Sequence, residues 1–264
     1  MTLFIAAFLG VVQGLTEFLP ISSTAHLLIA GRFVRFDDPA FTVMIQLGSV
    51  LAVLWLYKDK LLRVLRGLSS DRDARHFALM VIVAFIPAVV AGALFADFVQ
   101  SVLYESPRVI AWAFIVGGIV MLAVERLRPS PTVSDPERTP LGRALMIGLC
   151  QMLALVPGVS RSGATIVGGL LAGLERAAAA EFSFFLAIPT LSAAFAKSLL
   201  DLGGAVGSAR VAEILVGLVS AFVASLLVMR PFVRFVGRSG FAPFAWYRIV
   251  AGAAILAAVA GGWL

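Results

Sequence analysis

Residues 5–31 read IAAFLGVVQGLTEFLPISSTAHLLIAG, and residues 143–170 read RALMIGLCQMLALVPGVSRSGATIVGGL. Each is an apolar run interrupted at its centre by a Pro/Ser/Gly break. Proline removes a backbone donor, and serine and glycine favour caps and turns, so neither run is expected as one straight helix. Both carry a glutamine (Gln13, Gln151), then a proline (Pro20, Pro157), then a serine three residues on (Ser23, Ser160). Further matches follow in the same order: Phe41–Gly48 with Phe182–Pro189, Ala88–Gly92 with Ala221–Ser225, and Ile115–Gly118 with Ile249–Gly252. An ordered series at nearly constant spacing is the mark of a duplication.

Around these runs the chain is apolar. Hydrophobic residues make up 61% of its 264 residues and charged residues 14%, and the mean hydropathy is +1.01. Soluble domains carry about 25% charged residues. Blocks such as Phe77–Ala96, Val109–Val124 and Ile249–Leu264 reach or approach the roughly 20 residues that cross a hydrocarbon core of about 30 Å. A polytopic membrane protein is expected. The first apolar run lacks a basic leader and a small-residue cleavage site, so it does not read as a cleavable signal. The single cysteine, Cys150, excludes an intrachain disulfide framework and reads as a core residue. The net charge of +6 lies mostly in short loops, without a basic stripe of interleaved aromatics, so no nucleic-acid partner is expected.

Loop charge gives the topology. The stretch Lys58–Arg75 carries six basic residues and reads as a cytoplasmic loop, whereas Asp97–Ser106 has none and reads as outside. The proline-rich linker is basic and cytoplasmic. In the second half the biases reverse: Lys197–Arg210 is sparsely charged, and the next loop contains Arg230, Arg234 and Arg238. Opposite bias at corresponding loops is the signature of an inverted-topology repeat. Inversion requires an odd number of crossings per half, and three are clear in each: about 41–57, 78–97 and 108–125, then 181–200, 211–230 and 241–262. The leftover segments 3–34 and 143–174 then enter and leave on one side, as re-entrant helical hairpins. The expected architecture is a single all-α membrane domain over 1–264. Repeat 1 (1–125) and inverted repeat 2 (143–264) are joined by a cytoplasmic linker (126–142). Non-helical backbone at membrane depth is tolerated only where it is buried in protein or lines a wet cavity, so the two breaks point to a shared site.

The first break offers Gln13, Glu17, Ser22, Ser23, Thr24 and His26. Gln13 and Glu17 are four apart and share a helix face. A carboxylate at the centre of a membrane helix costs about 2.5–3.5 kcal/mol on insertion scales, which argues for function. Ser22, Ser23 and Thr24 sit where the outgoing half-helix needs an N-cap. A serine needs a base beside it to become a nucleophile, and His26 is a candidate. The second break supplies the opposite charge: Arg161 among Gly158, Ser160, Ser162, Gly163 and Thr165, ahead of a half-helix N-terminus that favours phosphate. Arginine binds phosphate oxygens bidentately, though Arg161 could instead pair with Glu17, or do each in turn.

QGLTEFLPISSTAHL and PGVSRSGATI resemble the two signature segments of the undecaprenyl-diphosphate phosphatase family, also called bacitracin resistance proteins, and the resemblance extends through MIQLGS and FAWYRIVAG to the C-terminus. It implies hydrolysis of a C55 polyprenyl diphosphate to its monophosphate at an outward-facing site in the bacterial inner membrane, with Mg²⁺ or Ca²⁺, recycling the carrier for cell-wall synthesis. By the same resemblance Ser23 is the candidate nucleophile and His26 a base, proton shuttle or rival nucleophile. Glu17 positions the metal or acts as base, and Arg161 holds the pyrophosphate. Gln13, Ser22, Thr24, Ser160, Ser162, Gly163 and Thr165 are the candidate substrate-binding residues. Many members have glutamate where this chain has Gln13, which weakens a two-carboxylate metal site.

Two alternatives stand beside this. Phosphatases of the phosphatidic acid type use paired histidines, but His76 falls in the basic loop, far in sequence from His26. A secondary transporter or lipid flippase also uses inverted repeats with broken helices. A second copy of the chain is a candidate partner through small-residue faces such as Gly117-Gly118.

Overall fold

The computed structural model describes residues 2–36, 38–98, 106–201 and 208–262. These form eleven α-helices, and the only β-type pairing among the described residues is one isolated bridge between Val133 and Leu174. The helices are α1 (Leu3–Thr16), α2 (Ser23–Phe33), α3 (Pro39–Leu56), α4 (Lys58–Gly67), α5 (Arg72–Phe98) and α6 (Pro107–Leu127), then α7 (Leu141–Met152), α8 (Arg161–Leu171), α9 (Arg176–Asp201), α10 (Ser208–Ser239) and α11 (Ala242–Ala260).

Five helices are long and apolar enough to cross a membrane: Arg72–Phe95, Pro107–Leu127, Arg176–Leu200, Arg210–Ser239 and Ala242–Ala260. Ala40–Leu56 makes a sixth only when taken with Lys58–Gly67, from which it is bent by 75°. The six expected spans therefore fall on helices. The expected loop Lys58–Arg75 does not stay a loop: it contains α4 and the start of α5. Leu61, Leu62, Val64 and Leu65 recur at helical spacing and give α4 an apolar face; Lys58, Arg63 and Arg66 remain exposed, while Lys60 turns inward over Phe185 and pairs with Glu137 of the linker. The linker is likewise not featureless, with a 3₁₀ turn over Pro136–Arg138. Most of the expected outside loop Asp97–Ser106, and the centre of Lys197–Arg210, lie outside the described residues.

Sequence explains the boundaries. Asp38 caps α3 by accepting from Phe41 N–H at 2.9 Å and also pairs with Arg210, tying α3 to α10. α10, at 32 residues, is about 48 Å long by ~1.5 Å per residue, more than a hydrocarbon core needs. Its basic end, with Arg230, Arg234 and Arg238, thus has room to project beyond the core.

Helix packing relates the two halves. α1 packs against α10 and α7 against α5, while α3 pairs with α9 and α6 with α11. Both hairpin contacts depend on a glycine in the incoming half-helix: an added Cβ on Gly10 would lie 2.2 Å from Gly217 O, and one on Gly148 would lie 2.3 Å from Ala84 O. Ala6 and Ala144, Gly10 and Gly148, Gln13 and Gln151, and Ser22 and Ser160 all match at one constant spacing. Ser22 and Ser160 are two of the three described non-glycine residues with positive φ (68° and 74°), and each precedes an outgoing half-helix. The backbone thus pairs Ser160 with Ser22, not with Ser23 as the proline spacing suggests; Ser23 corresponds to Arg161.

One large buried cluster joins α3, α5 and α7–α10, with Phe18 edge-on to Phe184 at 4.9 Å. The outer surface carries exposed Phe4, Leu94, Trp112, Leu227 and Val250, as expected for helices facing lipid. The Gly117-Gly118 face is occupied within the chain: added Cβ atoms there would meet Arg248 and Ala245 of α11.

Candidate active site

The two breaks meet. α1 ends at Thr16, so Glu17 opens the first break one turn after Gln13, as a buried residue that is 5% exposed. Glu17 Oε2 accepts from Gln13 Nε2 at 2.9 Å and from Ser23 Oγ at 2.6 Å. Its other oxygen, Oε1, accepts from Arg161 Nη2 at 3.1 Å. Ser23 and Arg161 are the first residues of α2 and α8, so both half-helix N-termini and their free amides begin at this centre. Four polar groups expected from sequence to work together are joined through one carboxylate.

The guanidinium of Arg161 is held from a third element. Its Nη1 donates to Ser183 O on α9 at 2.9 Å, and Thr165 Oγ1 lies 2.8 Å from Ser183 Oγ. Ser183 is fully buried and was not singled out from sequence, where a hydroxyl inside an apolar span carries little signal. Ser162 Oγ donates to Leu19 O at 2.8 Å, stitching α8 to the first break. Ser160 caps α8 by accepting from Gly163 N–H at 3.1 Å. These serines shape the site; their hydroxyls do not converge on Ser23. Ser22 makes no side-chain cap bond, and Thr24 has no side-chain hydrogen bond among the described residues. Positive φ at a serine costs on the order of 1–3 kcal/mol, and it persists at both breaks because packing on each side fixes it.

Among the described residues His26 makes no hydrogen bond to Ser23. Its Nδ1 lies 2.7 Å from Ser22 O and its Nε2 lies 2.6 Å from Tyr247 Oη, so both ring nitrogens are engaged elsewhere. The base in contact with Ser23 is Glu17.

Arg248, on α11, is the largest group missed from the sequence. It is 1% exposed and makes no bond to a carboxylate among the described residues; its N–H groups go to backbone carbonyls of three segments. Nη1 donates to Pro20 O (3.0 Å) and Val159 O (2.9 Å), and Nη2 to Gly158 O (3.0 Å) and Ala113 O (2.9 Å). One side chain therefore holds the first break, the second break and α6 together. An arginine within a membrane span is itself the signal that marks such a residue.

Of the four buried side-chain polar atoms without a partner among the described residues, two lie beside the ion pair: Gln13 Oε1 and Arg161 Nε. One is an acceptor next to a carboxylate, the other a donor on a phosphate-binding fork. Buried polar groups are normally satisfied, so an orphaned pair of this kind marks where a bound group belongs. No group of three or more His, Cys, Asp or Glu side chains able to hold a metal exists among the described residues. Glu17 and the unpartnered Gln13 Oε1, on side chains in direct contact through Gln13 Nε2, are the hard-oxygen donors that would suit Mg²⁺ or Ca²⁺ with phosphate oxygens completing the shell.

A multi-pass helical membrane protein with a buried, ion-paired Ser/Glu/Arg centre between two helix breaks is the class that fold and site define. Residues 6–254 match the family model of the bacitracin resistance protein BacA, and the chain belongs to that family. A protein of Cereibacter sphaeroides named undecaprenyl-diphosphatase is 50% identical over 264 residues, covering 99% of this chain and 98% of the relative. A protein of Agrobacterium fabrum named undecaprenyl-diphosphatase 1 is 50% identical over 256 residues, 96% of each chain, and the undecaprenyl-diphosphatase of Paracoccus denitrificans is 47% identical over 261 residues, 98% of each.

Proposed function

We propose that this chain hydrolyses undecaprenyl diphosphate to undecaprenyl phosphate and inorganic phosphate in the bacterial inner membrane, at a site open to the outside. It would thereby recycle the lipid carrier for peptidoglycan synthesis and confer resistance to bacitracin. The observation that carries this is the hydrogen bond from Ser23 Oγ to Glu17 Oε2, beside an arginine fork with a free Nε, in a family whose relatives are named for this reaction. An inverted-repeat architecture is part of the reading. It is supported by the matched packing of α1 on α10 and α7 on α5 and by the twin strained serines.

In the mechanism Ser23 Oγ attacks the terminal phosphorus and gives its proton to Glu17 Oε2. The P–O bond to the lipid monophosphate breaks, and water then releases phosphate from the serine. Arg161 turns from Glu17 toward the phosphoryl oxygens, using Nε and Nη2 as a bidentate donor. The amides at the starts of α2 and α8 add fixed positive ends, so charge is neutralised by groups already in place. Glu17 and Gln13 Oε1 are the groups that would hold a divalent cation, which would supply further charge neutralisation when bound. Phosphate release from undecaprenyl diphosphate in detergent micelles should require Mg²⁺ or Ca²⁺ and stop with chelator. Equal rates with chelator would remove the metal from this account.

A further inference from the structure

α3 and α10 pack side by side and run parallel. Asp38 pairs with Arg210, an added Cβ on Gly48 would meet Leu218 O, and Ser225 Oγ donates to Ser49 Oγ at 3.0 Å, so the two helices advance together. Continued at the same pace, Tyr57 at the end of α3 comes level with Arg230 on α10. Arg210 to Arg230 is about 30 Å at ~1.5 Å per residue, the thickness of a hydrocarbon core. Between them Val211, Leu215, Val219, Val223 and Leu227 recur at every fourth position and all are exposed, as a lipid-facing stripe requires.

At the level of Arg230 both helices change character. The exposed stripe of α10 turns basic: Arg230, Arg234 and Arg238 keep the four-residue spacing and are all exposed, over about 12 Å of helix. On α3 the chain bends by 75° into α4, which lies across the spans instead of along them. Trp55, exposed just before the bend, has Lys58 Nζ 4.8 Å from its ring centroid. Tryptophan favours headgroup depth. α4 then exposes Leu62 and Leu65 beside Lys58, Arg63 and Arg66, an apolar edge next to a basic one. That is the division of an interfacial helix, with leucines in the acyl boundary and cations at the headgroups.

Acidic partners at this level are engaged elsewhere or few. Glu137 pairs at 2.7 Å with Lys60, the basic residue of α4 that turns inward, and Glu125 is committed to Arg176 and to Phe241 N–H. Asp59 is exposed on α4, and beyond it Asp71 and Asp73 are matched in number by Arg72 and Arg75. Among the described residues the six outward cations of α4 and α10 make no ion pair.

We propose that Lys58, Arg63, Arg66, Arg230, Arg234 and Arg238 form one belt that binds the headgroups of anionic phospholipids in the leaflet on which α4 lies. Cations at headgroup depth without protein partners fit a lipid of net negative charge better than a zwitterionic one, whose ammonium offsets its phosphate. The belt uses none of the residues of the Ser23–Glu17–Arg161 centre, and it does not depend on the hydrolase reading.

The test is electron spin resonance of the full chain in phosphatidylcholine vesicles, comparing spin-labelled phosphatidylglycerol with spin-labelled phosphatidylcholine at the protein surface. The wild type should prefer phosphatidylglycerol about threefold, since each surface cation favours an acidic headgroup about fivefold and only part of the lipid shell meets the belt. The preference should shrink in about 1 M salt, where screening acts within ~3 Å. Arg230→Gln/Arg234→Gln/Arg238→Gln should cut it to about half, and adding Arg63→Gln/Arg66→Gln should bring it to about one. All five positions are exposed, so the variants should keep their folded profile. Arg32→Gln/Arg35→Gln/Arg108→Gln removes three charges from exposed positions off the belt and should leave the preference in place. No preference in the wild type would overturn the proposal and leave the belt to a partner other than lipid. An unchanged preference in the five-residue variant would overturn it as well. So would an equal loss in the off-belt triple, because net charge and not this belt would then set the preference.

Discussion

Glu17 accepts from Gln13 and Ser23 on one oxygen and from Arg161 on the other, so one carboxylate orients three neighbours. Glu17→Gln keeps the volume but removes the base and half of the ion pair. Turnover should fall at least about 10³-fold, within the range set by lost proton transfer and lost charge stabilisation, with the protein still folded in detergent. Arg161→Lys should lose most activity as well, because an ammonium cannot replace the planar fork. Stability separates the pair from the chemistry. Arg161→Ala leaves a buried carboxylate without its partner, a change that typically costs about 3–5 kcal/mol, and the Glu17→Gln/Arg161→Gln double variant should recover part of that. Melting temperatures in detergent check the order. Glu17 and Arg161 were legible in the sequence because ionisable groups in apolar runs are expensive and rarely idle. Ser183 and Tyr247 were not: a hydroxyl within an apolar span has no sequence signal that separates a site residue from packing. The role of His26 beside Ser23 was a sequence expectation, whereas in the structure its ring nitrogens meet Ser22 O and Tyr247.

The two half-helix hairpins depend on Arg248, which joins Pro20, Gly158 and Val159 to α6. Arg248→Lys offers three donors on a flexible stem in place of a fixed planar fork, so several of these carbonyls lose their partner. Each unsatisfied buried group costs about 1–3 kcal/mol. We expect a lower melting temperature and a fall in kcat larger than that caused by any single serine substitution at the second break, read by phosphate release. Gly117→Ala should act in the same direction, since an added Cβ would lie 2.2 Å from Arg248 Nη2. At this scale the hairpin halves were legible, since Pro20 and Pro157 mark the breaks. α4 was not, because Lys58, Lys60, Arg63 and Arg66 read as loop charge, and only the spacing of Leu61, Leu62, Val64 and Leu65 records the amphipathic helix.

For the molecule as a whole, six spans and two re-entrant hairpins were expected from apolar blocks and loop charge; five of the spans stand as helices long and apolar enough to cross a membrane, the sixth does so only as a bent pair with α4, and a helix break stands at the centre of each expected hairpin. The constant spacing that matches Gly10 to Gly148 and Ser22 to Ser160 was hidden in the sequence by Pro20 and Pro157, which fall one residue out of that register. Backbone conformation reveals it, because Ser22 and Ser160 share a positive φ at the start of each outgoing half-helix. An inverted repeat, as proposed, predicts opposite sidedness for corresponding loops of the two halves. On a Cys150→Ser background, Ser239→Cys, at the end of α10, should react with a membrane-impermeant thiol reagent only in inside-out vesicles, and Ser106→Cys, at the corresponding loop of the first half, only in right-side-out cells. Labelling of both from one side would break the inversion. His76→Ala, at the junction of α5 with the linker, should leave turnover unchanged.

The central claim is that the Ser23–Glu17–Arg161 centre cleaves a lipid-linked diphosphate. Its most direct measurement is phosphate release from undecaprenyl diphosphate by purified wild-type protein, alongside Ser23→Ala, Glu17→Gln and Arg161→Ala variants that retain their folded profile in detergent. The account predicts metal-dependent release by the wild type and near-complete loss in all three variants. Wild-type rates in any one would remove that residue from the chemistry, and no release by folded wild-type protein would make this a lipid carrier built around the same two breaks.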